Sequence, residues 1–373
     1  MKKRIALLLA AVMTLSLAAC APAAADPTSP PPSAPAQQSE APVPSGEPAG
    51  NYGPGLGGTT GSPYVITAGC TAPNTTDPTN GFVRAHQVLN ERLMELSGGT
   101  MGFELVMGGV YGSTVQHFAQ LKAGTLDAFI SGFDVATNLT GTEDFYAVAM
   151  PFVFDNDEHM DMFLESDLWA QMTESLRANN GIVYAGLYGH QLPRILTSTR
   201  EIVHPGDVAG LKIRVPESDV QIRVWTQAGA SPMQIAATEM YSALDTGVAD
   251  AQENDIVGSG SLKIYEVCPY YTEIDYIRQC LMVYMSEITW NKMNEQERGW
   301  WKEALADACE ACSEAYLSKY SEAKQAVIDS GGTIVEFDYD EWKEFFTNIV
   351  LSEFDGKYFR AGLYEEIQAL YKK

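Results

Sequence analysis

Residues 206–250 read GDVAGLKIRVPESDVQIRVWTQAGASPMQIAATEMYSALDTGVAD, and the alternation inside them sets the fold class. Lys212 to Val215 is a short run closed by Pro216, which has no N–H to continue a ladder, so the spacing predicts a strand that stops there. A helical pattern follows to about Gln227 and ends before Gly229, a residue suited to the turn after a helix. The unit repeats in miniature: Thr238 can cap a short helix from Glu239 to Asp245, which Gly247 ends before the run Val248-Ala249-Asp250. Short apolar runs alternating with amphipathic segments bounded by glycine describe a mixed or parallel sheet covered by helices, an α/β fold.

The same alternation extends both ways. Tyr64 to Ala68 reads as a first strand, and Phe82 to Leu96 as a helix with Phe82, Val83, Leu89, Leu93 and Leu96 at helical spacing, stopping at Gly98-Gly99. Met101 to Met107 is the next strand. Ser113 and Thr114 can cap a helix through Lys122, ended by Gly124, and Leu126 to Ile130 is a buried strand. Asn156-Asp157-Glu158 opens one helix that carries Met160, Phe163, Leu164, Trp169, Met172 and Leu176 to Asn179-Asn180-Gly181, followed by a strand from Ile182 to Leu187. Asn294 followed by Glu297 resembles a capping box, and helix-favouring residues continue to about Asp329, roughly 50 Å of helix. That length suits a bridge between two lobes better than a coiled-coil arm, because Trp300, Trp301, Leu305, Ala308 and Cys312 do not sustain a heptad. Two shorter helices, around Glu341 to Glu353 and Ala361 to Leu370, complete the chain.

Lys2, Lys3 and Arg4 precede an apolar run from Ile5 to Ala19, the pattern of a cleaved secretory signal over residues 1–19. The run ends Leu17-Ala18-Ala19-Cys20, which resembles a bacterial lipobox and makes Cys20 the candidate lipidation site, against a plain signal ending in a chance cysteine. Residues 21–62 hold 10 of the 19 prolines. With so few large apolar side chains this segment reads as a disordered tether, spanning about 35 to 40 Å as a coil. Gly53, Gly55 and Gly58 match G-x-G-x-x-G, but no strand precedes them and Pro54 interrupts, so a dinucleotide site is excluded. The formal net charge of −24 disfavours nucleic acid and anionic surfaces as partners.

No catalytic or metal motif stands out. The histidines, His86, His117, His159, His190 and His204, lack metal-ligand spacing, and neither G-x-S-x-G nor a P-loop occurs, so no metal and no cofactor is expected. Cys309-x-x-Cys312 reads as two small residues on a packed helix face, with a redox or metal pair as the alternative. Cys268 and Cys280 flank consecutive strands, and a disulfide between them is an even alternative to two thiols. Cys70 has no obvious partner. The informative constellation is Arg194, Arg214 and Asn254, each near a strand end or a loop between lobes. A guanidinium matches a carboxylate with two parallel hydrogen bonds, and an amide can donate to the same anion.

From about residue 64 to 330 the chain resembles the extracytoplasmic solute-binding proteins of tripartite ATP-independent periplasmic (TRAP) transporters, the C4-dicarboxylate-binding type. The markers run in order: Gly112-Ser113 through Leu121-Lys122-Ala123-Gly124-Thr125-Leu126-Asp127, Pro151-Phe152-Val153-Phe154 with Glu158-His159, then Gly206 through Pro216. Gly229-Ala230-Ser231-Pro232, Glu239 through Leu244, and Thr246 through Asn254 follow. The resemblance implies a two-lobed periplasmic-binding-protein-like fold with an interlobe cleft, crossing strands and a long spine helix. It divides the chain into lobe I, residues 63–190 plus about 280–320, and lobe II, residues 191–279 plus about 321–373. It puts the carboxylate clamp on Arg214, a lining amide on Asn254 and an assisting guanidinium on Arg194. Glu217, just past the strand, is a pocket neighbour able to bond a ligand hydroxyl or amine. Ala251 stands in place of a common Gly and Asp255 where Pro is frequent, and the loop from Gly69 to Gly81 has no counterpart. The implied function is a non-enzymatic, exported, lipid-anchored protein that binds an organic acid and delivers it to TRAP membrane subunits. The alternatives are an exported enzyme acting on a carboxylated substrate and a ligand-sensing module for a membrane receptor.

Overall fold

The computed structural model describes residues 52–371. The expected signal, Cys20 and the tether as far as residue 51 lie outside the described residues. The strands are β1 (Tyr64–Gly69), β2 (Met101–Val106), β3 (Ala128–Gly132), β4 (Ile182–His190), β5 (Arg194–Ser198), β6 (Lys212–Val215), β7 (Ser231–Gln234), β8 (Ala251–Asn254), β9 (Tyr270–Ile277), β10 (Cys280–Ser286) and β11 (Thr333–Ile334). The helices are α1 (Gly81–Leu96), α2 (Thr114–Ala123), α3 (Phe145–Val148), α4 (Asp157–Leu164), α5 (Asp167–Asn180), α6 (Asp219–Gln227), α7 (Met240–Asp245), α8 (Ile256–Ser261), α9 (Glu287–Lys292), α10 (Glu295–Asp329), α11 (Tyr339–Ile349) and α12 (Leu363–Ala369).

Two sheets form, one per lobe. The first has the order β2-β1-β3-β10-β4 and the second β11-β9-β5-β8-β6-β7. In the first, β1 runs parallel to β2 and β3 while β10 is antiparallel to β3 and β4. In the second, β6 is parallel to β7 and β8, and β5 is antiparallel to β8 and β9. The chain crosses from the first sheet to the second between β4 and β5 and returns between β9 and β10, so Gln191 and Gln279 lie on the crossings.

Helix α10 holds the lobes together as a spine. Asn294 accepts the Glu297 N–H at 2.9 Å and Glu297 accepts the Asn294 N–H at 2.9 Å, so the expected capping box starts the helix. Its first half, from Trp301 through Leu305, Ala308 and Cys312 to Tyr316, is buried against the first sheet, where Trp301 donates to the Ala185 carbonyl. Its last turns carry Tyr320, Ala323 and Val327 onto Ile195, Ile256 and Tyr271 of the second lobe. At 35 residues the helix is about 52 Å long, enough to serve both.

Several sequence expectations need correction. The single helix from Asn156 to Asn180 is two, because Ser166 takes an extended backbone and accepts the Trp169 N–H, starting α5 afresh. Thr238 does not cap: residues 237–239 form a 3-10 turn that leads into α7. The run Val248–Asp250 after Gly247 leads into β8, which begins at Ala251. Of the two readings left open for Cys268 and Cys280, the structure has two free thiols: the first packs in a small cluster with Met240, Leu244 and Ile264, the second in the main core. Cys70, Cys309 and Cys312 are free as well.

The tether expected through residue 62 is seated from Gly53 onward. Gly53 and Gly55 donate their N–H groups to the carbonyls of Met293 and Lys292 at 3.0 and 2.8 Å, and the Leu56 N–H reaches the Glu297 carboxylate at 2.9 Å. The Arg298 guanidinium sits over both Tyr52 and Trp290, at 4.9 and 4.8 Å from the ring centres. Gly53 has to be glycine, since a Cβ there would stand 2.2 Å from the Asn291 and Lys292 carbonyl oxygens.

Candidate ligand-binding cleft

A cavity of about 620 Å³ lies between the lobes, where the carboxyl ends of the parallel strands of both sheets face each other. From the first lobe come Cys70 and the loop after β1, Met107 after β2 and Ser131-Gly132 at the end of β3. The second lobe supplies Arg214 near the end of β6, Ala236 to Thr238 after β7 and Asn254 closing β8. Gln191, Arg194 and Gln279 line the cavity at the crossings. The structure therefore brings Arg194, Arg214, Glu217 and Asn254 around one space. The loop from Gly69 to Gly81, which matched no family string, forms much of the opposite wall.

Strand periodicity explains the placement of Arg214. Ile213 and Val215 face the core of the second lobe, so the residue between them faces the other way, and Pro216 ends the strand just beyond. The side chain is only 3% exposed. Its Nε donates to the Ile235 carbonyl at 2.8 Å. Among the described residues its two terminal amino groups have no hydrogen-bond partner and no carboxylate within ion-pair distance. Burial pulls the guanidinium down to about 10, with Arg194 adding to the depression and Glu253 and Glu217 opposing it. This is a buried cation held by one backbone bond, with two parallel N–H donors left over.

Arg194 is different. Antiparallel pairing of β5 with β8 sets Ile195 opposite Asn254 and Leu196 opposite Glu253, which brings Glu253 beside Arg194. Arg194 Nε and one terminal nitrogen bond both oxygens of the Glu253 carboxylate, the second at 2.6 Å. The same terminal nitrogen reaches the Glu253 carbonyl at 2.8 Å, and the other bonds Gln279 Oε1 at 2.8 Å. Tyr276 donates to the same carboxylate at 2.7 Å and accepts from Trp225 Nε1 at 3.1 Å. Burial pulls Arg194 down, but the Glu253 charge and hydrogen bonds outweigh it and hold its guanidinium above the ordinary range. Its charge is spent within the protein, whereas that of Arg214 is not.

Glu217 links the lobes. Its carboxylate accepts the Thr114 N–H at the start of α2 at 3.2 Å, and its carbonyl accepts from Asn138 Nδ2 at 2.9 Å. Asp77 also lines the cavity, accepting the Thr79 N–H at 2.9 Å, and so do two buried carboxylates. Asp134, in the turn after β3, takes Gln221 Nε2 at 3.2 Å, and Asp255 caps α8 by accepting the Gly258 N–H at 2.6 Å. Burial raises both carboxyls, with Arg194 opposing.

Sequence reasoning missed Glu253, Gln279 and Asp134 and gave Asp255 no role. Glu253 stood inside the Gln252-Glu253-Asn254 string, but its pairing with Arg194 depends on the register of β5 against β8. Asp134 and Gln279 sit in short turns, where no periodicity marks which way a side chain faces.

Over residues 74–351 the chain matches the family described as bacterial extracellular solute-binding protein, family 7. A solute-binding protein of Roseobacter denitrificans is 28% identical over 260 residues, 69% of this chain and 78% of the relative. The sialic acid-binding periplasmic protein SiaP of Vibrio cholerae is 26% identical over 260 residues, 69% of this chain and 79% of the relative. Among solved structures, a TRAP periplasmic solute binding protein from Roseobacter denitrificans with bound L-galactonate is similar with a TM-score of 0.73 at 25% identity, covering 83% of this chain and 98% of that one. One from Shewanella oneidensis with bound succinate shares the fold with a TM-score of 0.75 at 21% identity, covering 83% of this chain and 100% of that one.

Proposed function

The chain belongs to the bacterial extracellular solute-binding proteins of family 7, a family of binding proteins rather than enzymes, and from that premise we propose that it captures an organic acid and delivers it to the membrane subunits of a TRAP-type transporter. The observation that carries this reading is the state of Arg214, a buried guanidinium with one backbone bond and two unpartnered amino groups in a 620 Å³ cleft. A ligand carboxylate satisfies both amino groups at once, in the bidentate geometry that offsets desolvation of the two ions. Asn254 adds an amide donor. Arg194, locked by Glu253, supports the wall from which Asn254 projects, and Glu217 meets a ligand hydroxyl or amine.

The relatives with bound L-galactonate and succinate support a carboxylate as the common ligand feature. Lys2 to Arg4, the run to Ala19 and the lipobox-like Leu17 to Cys20 support export and a lipid anchor at Cys20. Changing Cys20 to Ser should move the protein from the membrane fraction to the soluble exported fraction.

The decisive experiment is calorimetry of the wild type and Arg214→Ala against a panel of organic acids. Loss of one partner of a buried ion pair costs about 3 to 5 kcal/mol, so affinity falls by roughly a hundredfold or more. Undiminished affinity in a folded Arg214→Ala protein removes the clamp.

A further inference from the structure

The charge around the cleft does not suit a simple anion. Arg194 is neutralised by Glu253, which leaves Arg214 as the one guanidinium among the described cleft residues without an ion-pair partner, in a cavity lined by four carboxylates, Asp77, Asp134, Glu217 and Asp255. A single ligand carboxylate answers Arg214 and brings no positive charge to these acids, of which Asp77, Glu217 and Asp255 hold backbone N–H bonds from Thr79, Thr114 and Gly258. Asp134 and Asp255 are 4% and 1% exposed, so water does little for them. Asp134 accepts from Gln221 Nε2 on Oδ2 at 3.2 Å and from its own backbone N–H, and it lines the cavity. Asp255 is engaged by the backbone of α8, yet also lines the cavity, and it occupies the place where the family string usually has proline.

Buried carboxylates favour a cation opposite them, and they penalise a second ligand carboxylate by like-charge repulsion. A hydroxyl offers one donor and no charge. A protonated amine offers three donors and the missing charge.

We infer that the ligand is an amino-bearing acid, its carboxylate on Arg214 and its ammonium on Asp134 and Asp255 across the cleft. This rests on the carboxylate reading of Arg214. It selects amino acids over dicarboxylates and over polyhydroxy acids that lack an amine, the classes of the ligands in the structures compared above.

The test is a thermal-shift screen of the full mature chain, followed by calorimetry. The panel holds α-amino acids, ω-amino acids of three to six carbons, C4 to C6 dicarboxylates including succinate, and polyhydroxy acids including L-galactonate. An amino-bearing acid should bind at least tenfold more tightly than any dicarboxylate or polyhydroxy acid. Asp134→Asn and Asp255→Asn, which keep size and acceptor geometry, should each weaken it by about 30-fold or more while leaving or improving succinate. A structural role alone would not shift that ratio. If a dicarboxylate or polyhydroxy acid binds best and Arg214→Ala still abolishes binding, the ammonium inference is wrong and the clamp stands. An unchanged ratio in both Asn variants is equally fatal to it. If no acid in the panel binds, or Arg214→Ala binds normally, the clamp falls and the inference with it.

Discussion

Replacing Arg214 with Met should make the empty protein more stable while removing its ligand response. A guanidinium ordinarily stays protonated above pH 12, and burial brings that of Arg214 to about 10, a depression worth about 3 kcal/mol against the folded state at neutral pH. Against this stands the 2.8 Å bond from Nε to the Ile235 carbonyl, a charged hydrogen bond of about 1.5 kcal/mol. Met keeps most of the length without the charge, so a net gain of about 1 to 2 kcal/mol is expected. With the described residues 52–371 unfolding at about 2 cal/mol/K each, this raises Tm by about 2 to 3 °C. The advantage should be flat up to about pH 10 and shrink above it. There the folded wild type sheds the Arg214 proton while the unfolded chain keeps it, so the wild type gains stability as pH rises. Scanning calorimetry of both proteins without ligand, at pH 7 and above pH 10, reads all of this. A fall in Tm of more than about 2 °C in the Met variant would mean that Arg214 is a structural cation, and the argument for an anion receptor would lose its basis.

Asp275, at a left-handed backbone position with φ 48, has its carboxyl raised to about 6, chiefly by burial, with Arg278 opposing and Glu273 reinforcing. The folded protein keeps this proton to about pH 6 while the unfolded chain loses it near about pH 4, so stability falls as pH rises between them. Asp275→Asn, tolerated in that backbone region, should flatten this fall in denaturant titrations; an unaltered slope would remove the assignment. Gly53→Val places a Cβ against the Asn291 and Lys292 carbonyls and should free residues 52–56, exposing Tyr52 and Leu56 to chymotrypsin; unchanged resistance would count against the seating of this segment. Alkylation in denaturant without reductant should label Cys70, Cys268, Cys280, Cys309 and Cys312; protection of Cys268 and Cys280 until reduction would show the bridge that the structure lacks.

The helices and strands were legible wherever a face repeats. The strand at Lys212, the helix from Phe82 and the capping box at Asn294 each announce themselves through spacing or a cap. Arg214 was legible as a guanidinium near a strand end, and the family resemblance put the carboxylate clamp there. The break at Ser166 was hidden because apolar residues continue in phase across it. The seated segment from Gly53 was hidden for the opposite reason: it is held by backbone N–H groups and one carboxylate, with little apolar side-chain area to mark it. The state of Arg194 was hidden because strand register decides which carboxylate stands beside it. Two arginines alike in sequence thus have opposite electrostatic roles.

The seating of residues 53–56 also decides where an external pull enters the molecule. These residues grip the loop before the spine helix and its first turn, on the side that packs against the first sheet. A pull applied at Tyr52 therefore enters at the first lobe and at the start of the helix that both lobes share, rather than at the crossings at Gln191 and Gln279 or at Arg214. The point of entry is thus set apart from the residues that would hold a ligand, so the cleft geometry should be the same in a free and in a surface-coupled protein.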